Sequence, residues 1–271
     1  EIVGVIANVE NKEGMTRAGK NFISVDTTIK AKINGTDCEY DINFYAIEGG
    51  KMYETYAGIK SLLNSRVKVS GELRENRYWS RNLNQIVSTL KPRGAFINKS
   101  NEEDHATFEV SGFLMSEPVE HKNKAGELIN YTVQIGQANY RNELNVLTLH
   151  IEKGDTAILN GIRTFKLRDS LNLNGDLIFT VNEVTVESNN EGGFGAPTVR
   201  TFVNRLKNFY IRGGRPVSED TYTAEQIADL IAAYKENDKA IIAAAASASN
   251  GDEGTTSTPN QTLTSRQASL I

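Results

Sequence analysis

The same order of predicted secondary-structure elements occurs twice along the 271 residues, and this repetition constrains the fold more than any other feature. Short runs of β-branched and aromatic residues alternate with turn signals, and each copy contains three strands, one helix and two further strands. The copies span residues 1–98 and 105–190, and the polar residues 99–104 separate them. The sequence therefore predicts two tandem copies of one mainly β domain.

Each copy follows the order of elements that is typical of the OB fold, a small five-stranded barrel. Gly4 and Gly112 fall inside the first strand of each copy, where a missing Cβ permits the sharp coiling of a small barrel. We therefore predict two tandem OB-fold-like five-stranded barrels. In the first copy the predicted strands are Ile2–Val9, Asn21–Ala31, Cys38–Ala46, Arg66–Leu73 and Gln85–Leu90, and the predicted helix is Met52–Asn64. In the second copy the predicted strands are Phe108–Met115, Ile129–Ala138, Leu144–Ile151, Ser170–Phe179 and Glu183–Glu187, and the predicted helix is Thr156–Phe165.

Three further segments follow the second copy. Residues 191–218 are predicted to be a basic aromatic arm. Residues 221–248 are predicted to be a helix, because Thr223 and Gln226 have capping-box spacing and an apolar stripe follows them. Residues 249–271 contain hardly any large apolar side chain, so they are predicted to be a disordered tail. The stripe consists of Ile227, Leu230, Ile231 and Tyr234.

Composition excludes several classes of protein. Cys38 is the only cysteine, and with three scattered histidines it supports neither a disulfide framework nor a metal site, so we expect no metal and no cofactor. No run of ~18 apolar residues predicts a membrane span, so we expect a cytoplasmic protein without a membrane partner. Residues 14–21 are one residue short of a phosphate-binding loop but precede a strand, which makes them a basic hairpin tip. We expect no enzymatic activity.

The formal net charge of −4 hides a gradient along the chain. Residues 1–100 contain 15 basic and 11 acidic side chains, residues 101–218 contain 12 and 15, and residues 219–271 contain 3 and 8. The first copy is therefore the basic part of the chain, and the acidity is concentrated towards the C-terminus.

Aromatic and cationic side chains are interleaved in the first copy, as sequence-tolerant binding of single-stranded nucleic acid requires. Alternation along its third strand sends Tyr40 and Phe44 to the core and Tyr45 to the other face, where a ligand is expected, while the role of Phe22 stays open. The end of the fourth strand carries the only tryptophan. The residues predicted to bind there are Arg74, Arg77, Tyr78, Trp79 and Arg81.

The predicted arm is rich in cations. Between residues 192 and 218 there are five cations and no carboxylate, with aromatic rings among them, which is the composition expected of a nucleic-acid-binding strip. The alternative is an arm whose rings pack on the domain. The residues predicted to bind nucleic acid in this segment are Arg200, Phe202, Arg205, Lys207, Tyr210 and Arg212. The hairpin tips of the two copies add Arg17, Lys20 and Lys124.

A helix that ends in a small polar turn, Tyr56-Ala-Gly-Ile-Lys-Ser-Leu-Leu-Asn-Ser, leads into the strand Arg66-Val-Lys-Val-Ser-Gly71-Glu-Leu-Arg74. The aromatic basic hairpin Arg77-Tyr78-Trp79 and the closing strand Gln85–Leu90 follow. These motifs resemble the second half of the bacterial-type single-stranded DNA-binding protein fold, and the second copy resembles it more weakly. The resemblance implies an OB fold with single-stranded DNA as partner, and the tandem arrangement is reminiscent of phage replication proteins.

Together these features predict a protein that binds and protects single-stranded DNA, without sequence specificity, in replication or recombination. In the family that it resembles, an acidic tail with an apolar tip recruits partners. Here the tip Leu270-Ile271 is present but only Asp252 and Glu253 precede it, so contact with replication proteins through the C-terminal helix or tail stays open. The alternative is a structural or assembly protein, of a virion or a complex, that uses two β-barrels as packing modules. The acidic total favours that alternative.

Overall fold

The computed structural model describes residues 1–139, 141–188, 198–217 and 222–249. Within these ranges the predictions of a mainly β chain and of a helix near the C-terminal end are confirmed. The first copy contains β1 (Ile2–Met15), β2 (Asn21–Ile33), β3 (Thr36–Ile47), α1 (Tyr53–Ala57) continued by a 3-10 helix (Gly58–Leu62), β4 (Arg66–Ser80) and β5 (Gln85–Lys99). The remainder contains β6 (His105–Leu114), β7 (Val119–Lys122), β8 (Leu128–Ala138), β9 (Leu144–Glu152), α2 (Thr156–Arg163), β10 (Ser170–Ser188), β11 (Thr198–Pro216) and α3 (Ala224–Ser249).

Hydrogen bonding connects the strands in the order β2-β3-β5-β4-β1-β6-β10-β11-β9-β8-β7. Two further pairings, β1 with β2 and β6 with β8, close two sets of five strands, which are β1–β5 and β6 with β8–β11. The remaining strand, β7, pairs with β8 beside the second set. Each set also contains a parallel pair of strands. Asn43 on β3 lies opposite Arg93 on β5 in the first set, and His150 on β9 lies opposite Tyr210 on β11 in the second. Because β1 pairs with β6 as well, the strands form one eleven-stranded order, and the prediction of two separate barrels is corrected accordingly.

The second strand set differs from its prediction at its end. Ser170–Phe179 and Glu183–Glu187 belong to one continuous strand, β10, and most of the predicted arm forms β11. β11 is the fifth strand of its set, because it runs parallel to β9 as β5 runs parallel to β3. Phe209 and Ile211 alternate into the core, which explains why this basic segment folds as a strand. Residues 191–197 and 218 of the predicted arm, and the tail from residue 250, lie outside the described residues.

Glycines permit the same close approach in both sets. A Cβ on Gly4 would lie 2.5 Å from the carbonyl oxygen of Lys30, and a Cβ on Gly112 would lie 2.4 Å from that of Gly136. In each case the approach joins the first strand of the set to the second. A glycine is therefore needed at these two positions for the close approach of a neighbouring strand, while the predicted role in sharp coiling stays a prediction.

The chain divides into two compact units that do not follow the predicted copies: unit 1 also includes residues 177–208, from the second copy and the predicted arm, and unit 2 includes residues 73–91 of the first copy. Unit 1 comprises residues 1–72, 92–107 and 177–208. Unit 2 comprises residues 73–91, 108–176 and 209–271. We call this arrangement the strand-pair exchange. The units and the predicted copies are different divisions of the chain, and the copy boundaries stay a prediction.

In unit 1 the exchanged residues pack against β3. The Tyr40 hydroxyl donates to the carbonyl oxygen of Leu177 at 2.6 Å, and the Tyr40 ring centroid lies 5.2 Å from that of Phe179. Arg205 pairs with Asp41 at 2.5 Å. Since Tyr40 and Phe179 are both buried, the exchanged segment completes the core of this unit.

In unit 2 the exchanged residues pack against β9. The backbone N–H of Glu75 donates to Asn145 Oδ1 at 2.8 Å, and its carboxylate accepts a bond from the backbone N–H of Val146 at 2.9 Å. The Asn145 amide donates to the carbonyl oxygen of Leu73 at 3.1 Å. The third strand of each set therefore receives the exchanged pair.

Helix α3 packs its apolar stripe inside unit 2, where Ile227 and Leu230 are buried against Phe113. The predicted capping box forms: the backbone N–H of Thr223 donates to the Gln226 side chain at 2.9 Å, and the backbone N–H of Gln226 donates to the Thr223 hydroxyl at 3.2 Å. The apolar stripe therefore packs against other residues of unit 2. Among the described helices, none has both the length and the apolar character of a membrane span.

Candidate nucleic-acid interface

Two aromatic rings lie together on the outer face of β2 and β3 in unit 1. Phe22 and Tyr45 are both partly exposed, and their ring centroids are 5.5 Å apart. Gly14 on β1 lies opposite Phe22, and a Cβ there would approach the ring to 2.9 Å, so the glycine leaves room for it. Tyr40 and Phe44 are fully buried, as alternation predicted. We call Phe22 and Tyr45 the ring platform, because a base can stack on such a surface.

The β1–β2 turn places Arg17 and Lys20 next to the start of β2, and both side chains are exposed. The turn is closed by a bond from the backbone N–H of Thr16 to the carbonyl oxygen of Lys20, at 2.8 Å, and Gly19 adopts a φ of 75°. A strand follows the turn, so residues 14–21 are a hairpin tip as predicted. Lys20 is two residues from Phe22, which puts positive charge at the edge of the ring platform.

Other charges on the outer face of β2 and β3 are paired with each other. Lys12 contacts Asp26 at 2.9 Å, and Lys30 contacts Glu39 at 3.0 Å. These ion pairs leave the middle of the face near neutrality. The exposed Arg17 and Lys20 add positive charge at the β1–β2 turn.

The distal part of β4, in unit 2, divides the predicted hairpin residues between two faces. Arg74 and Tyr78 are exposed on one face, with Tyr78 at 40% exposure, and Arg81 is exposed in the turn that follows. Arg77 and Trp79 alternate to the opposite face and are partly buried. The Arg77 guanidinium is ion-paired with Asp238, and its Cζ lies 3.5 Å from the centroid of the Tyr234 ring. Sequence reasoning missed these two helical partners, because they lie about 160 residues further along the chain.

Three cations of β11, Arg205, Lys207 and Arg212, contact other side chains of their own unit. Arg212 contacts Glu152 at 3.0 Å and Asp176 at 2.8 Å, and these contacts raise the pKa of Arg212. Lys207 Nζ lies 5.5 Å from the ring centroid of Phe179. Tyr210 is partly buried, and Lys124 is exposed in the β7–β8 turn. The backbones of Arg200 and Phe202 belong to β11, while their side chains lie outside the described part of the structure.

A mostly buried histidine joins β9 to β11 in unit 2. His150 Nδ1 accepts a hydrogen bond from the backbone N–H of Phe209 at 3.1 Å, so the ring is neutral with its proton on Nε2. Burial, with a smaller contribution from His121, lowers the pKa of His150 to about 4. This residue took no part in the predicted site, and its role is to accept a backbone donor.

The buried imidazole makes stability depend on pH. An unfolded His150 titrates near its ordinary pKa of 6.5, so between that pH and about pH 4 the unfolded chain binds more protons than the folded one. Stability should fall by up to about 3 kcal/mol as the pH drops through this window. His150→Asn keeps an acceptor for Phe209 and should flatten the dependence, measured as Tm against pH. An unchanged slope in the variant would contradict the assignment.

An acidic cluster in unit 1 is already occupied by a lysine. Ligand atoms of Glu1, Glu102 and His105 lie within 4.8 Å of one another. Lys68 Nζ lies 3.0 Å from the Glu1 carboxylate and 3.1 Å from that of Glu102. The ammonium group therefore neutralises the position that a cation would take.

Comparison with known proteins places this chain in a family. Two solved structures of the single-stranded DNA-binding protein from Thermus aquaticus, the wild type and a deletion mutant, are similar to it, each with a TM-score of 0.50 and 12% sequence identity. The similarity covers 82% of this chain and 94% of the wild-type chain or 95% of the mutant chain, and it shows a shared fold. No curated protein matches the sequence. The YorF family model matches residues 1–244, and the chain therefore belongs to the YorF family.

Proposed function

We propose that this protein binds single-stranded DNA without sequence preference and protects it in replication or recombination, as a binding protein and not as an enzyme. Each cyclic set of five strands acts as an OB-type barrel in this proposal. The observation that carries it is the ring platform of Phe22 and Tyr45 with Arg17 and Lys20 beside it. OB folds bind oligonucleotides through the face of their second and third strands and through the 1–2 and 4–5 connections. The platform lies on those strands, and the two cations lie on the first connection.

The chemistry of these groups favours single strands. Unpaired bases can stack on Phe22 and Tyr45, and each stacked base contributes ~1–3 kcal/mol, whereas the bases of a duplex are already stacked on each other. Within unit 2, Arg74, Tyr78 and Arg81 are exposed on the β4–β5 connection and offer a further candidate contact of their own, with two cations and a ring. The Thermus aquaticus proteins that share the fold are single-stranded DNA-binding proteins, which supports the same role here.

Three predicted cations contribute little to this proposal. Arg77, Arg205 and Arg212 each contact a carboxylate, so a phosphate would have to displace an existing partner. Of the predicted cations whose side chains are described, Arg17, Lys20, Arg74, Arg81 and Lys124 remain exposed, and the first four lie on the β1–β2 turn and the β4–β5 connection. Four phosphate contacts correspond to a log–log salt slope of about −3 for single-stranded DNA.

Removing the Tyr45 ring should weaken binding to oligo-dT. Tyr45→Ala is expected to raise Kd by roughly 5- to 150-fold, because one stacked base loses ~1–3 kcal/mol. Arg17→Gln with Lys20→Gln should reduce the salt slope by about 1.4. Fluorescence anisotropy with labelled single-stranded DNA, duplex DNA and RNA of equal length measures both effects.

Lys60→Gln with Lys99→Gln is the matched control, since it removes two exposed cations of unit 1 that lie off the proposed face. This variant should keep the slope of the wild type. Equal affinity for duplex and single-stranded DNA, or no binding, would refute the proposal and leave the packing-module alternative.

A further inference from the structure

A buried carboxylate links helix α3 to the distal part of β4 within unit 2. The Glu75 side chain is 4% exposed. Its carboxylate accepts hydrogen bonds from the Tyr234 hydroxyl at 2.7 Å, from the Ser88 hydroxyl at 2.6 Å and from the backbone N–H of Val146 at 2.9 Å. The three donors belong to α3, β5 and β9. A buried acceptor with three donors holds those elements in one arrangement.

Arg77 extends this cluster on the same face of β4. Its side chain is 10% exposed, its guanidinium is ion-paired with Asp238, and its Cζ lies 3.5 Å from the centroid of the Tyr234 ring. Arg77 Nε also lies 3.7 Å from the Glu75 carboxylate. A guanidinium that is both stacked and ion-paired accepts little change in geometry. Helix α3 thus supplies the ring and one of the two carboxylates that hold Arg77.

Helix α3 is itself firmly anchored in unit 2. Its stripe residues Ile227 and Leu230 are buried against Phe113. Just before the helix, the Tyr222 hydroxyl accepts a bond from the backbone N–H of Ala138 at 3.1 Å. The helix is therefore a fixed support for the side chains that it presents to β4.

We propose that α3 is the positioning element for the DNA-contacting end of β4, with Asp238 and Tyr234 as its positioning residues. The inference rests on the proposed function, because it assigns Tyr78 and its neighbours to the DNA interface. Successive side chains of a strand point to opposite faces, so holding Arg77 on the α3 side orients Tyr78 towards solvent. A ring that is already oriented loses less conformational entropy when a base stacks on it.

The test compares two helix variants that each remove one negative charge. Asp238→Asn breaks the ion pair with Arg77, and Glu236→Gln breaks only the exposed pair with Lys239. Loss of an acidic charge alone should leave affinity for oligo-dT unchanged or slightly tighter in both. We expect Asp238→Asn instead to weaken binding at least about fivefold, the lower end of a typical coupling between sites, with Glu236→Gln as wild type.

The fluorescence of Trp79, the only tryptophan, provides a readout without DNA. Asp238→Asn should increase quenching of Trp79 by acrylamide in the free protein, and Tyr234→Phe, which removes only the hydroxyl donated to Glu75, should do so to a smaller extent. If Asp238→Asn fails to fold, Trp79 quenching in Tyr234→Phe still tests whether α3 positions the end of β4.

Three outcomes overturn the inference: Asp238→Asn matches Glu236→Gln in affinity, it lowers Tm while the folded protein binds like the wild type, or neither cluster variant changes Trp79 quenching. If the wild type does not bind single-stranded DNA, the proposed function fails separately. The quenching experiment then still shows whether α3 holds the end of β4.

Discussion

Gly71→Ala should destabilise the protein by about 3 kcal/mol or more, because the new methyl group has no space. A Cβ at Gly71 would lie 1.9 Å from the carbonyl oxygen of Arg93 on the neighbouring strand. A Cβ at Gly175 would lie equally close, 1.9 Å, to that of Tyr210. Both obstacles are backbone atoms, so only a shift of a paired strand relieves them. Urea unfolding of Gly71→Ala and Gly175→Ala measures the loss.

Gly161→Ala is the control for these substitutions. Gly161 lies in α2, and its added Cβ would meet no atom within 4 Å. Since alanine is a better helix former by up to about 1 kcal/mol, this variant should be as stable as the wild type or more so. If Gly71→Ala retained wild-type stability, the close strand crossing would be disproved.

Residues 1–104 expressed alone should lose cooperative folding, although they contain a whole sequence copy. Unit 1 needs residues 177–208, because Tyr40 donates to Leu177 and packs its ring against Phe179. Without that segment the Tyr40 side chain loses its hydrogen-bond acceptor and its cover, which together remove part of the core. Thermal unfolding followed by circular dichroism, with size-exclusion chromatography, tests this expectation.

The matched truncation is residues 1–249, which retains every described element of both units. We expect it to melt cooperatively, and we expect the same of the full chain. A monomeric 1–104 fragment with a sharp transition near that of the full chain would show that the strand-pair exchange is dispensable.

Much of the fold follows from local sequence patterns. Alternation identified Tyr40 and Phe44 as core residues and placed Tyr45 on the outer face, and capping-box spacing located the start of α3 at Thr223. These features depend on neighbours within a few residues, so the sequence contains the information locally. The element order of the first copy was predicted for the same reason.

The strand-pair exchange was not predictable in this way. Periodicity shows which face of a strand is buried, but it does not show what covers that face. The Tyr40 acceptor is 137 residues away, and the partners of Arg77 lie on a helix beyond both copies. The run of cations in β11 suggested a nucleic-acid-binding arm, because the carboxylates that pair with Arg205 and Arg212 are on other strands. Local patterns therefore predicted the outward placement of Arg17, Lys20 and Tyr45, but they did not predict that Arg77 is held by a helix.

The strand-pair exchange also determines when unit 1 can be completed during synthesis on the ribosome. β3 emerges early, whereas the segment that covers Tyr40 extends to residue 208. At translation rates of ~5–20 residues per second, Tyr40 waits roughly 10–30 s for that segment. During this interval the nascent chain exposes an incomplete β core, so its yield in the cell should depend on translation speed and on chaperones that bind exposed apolar strands.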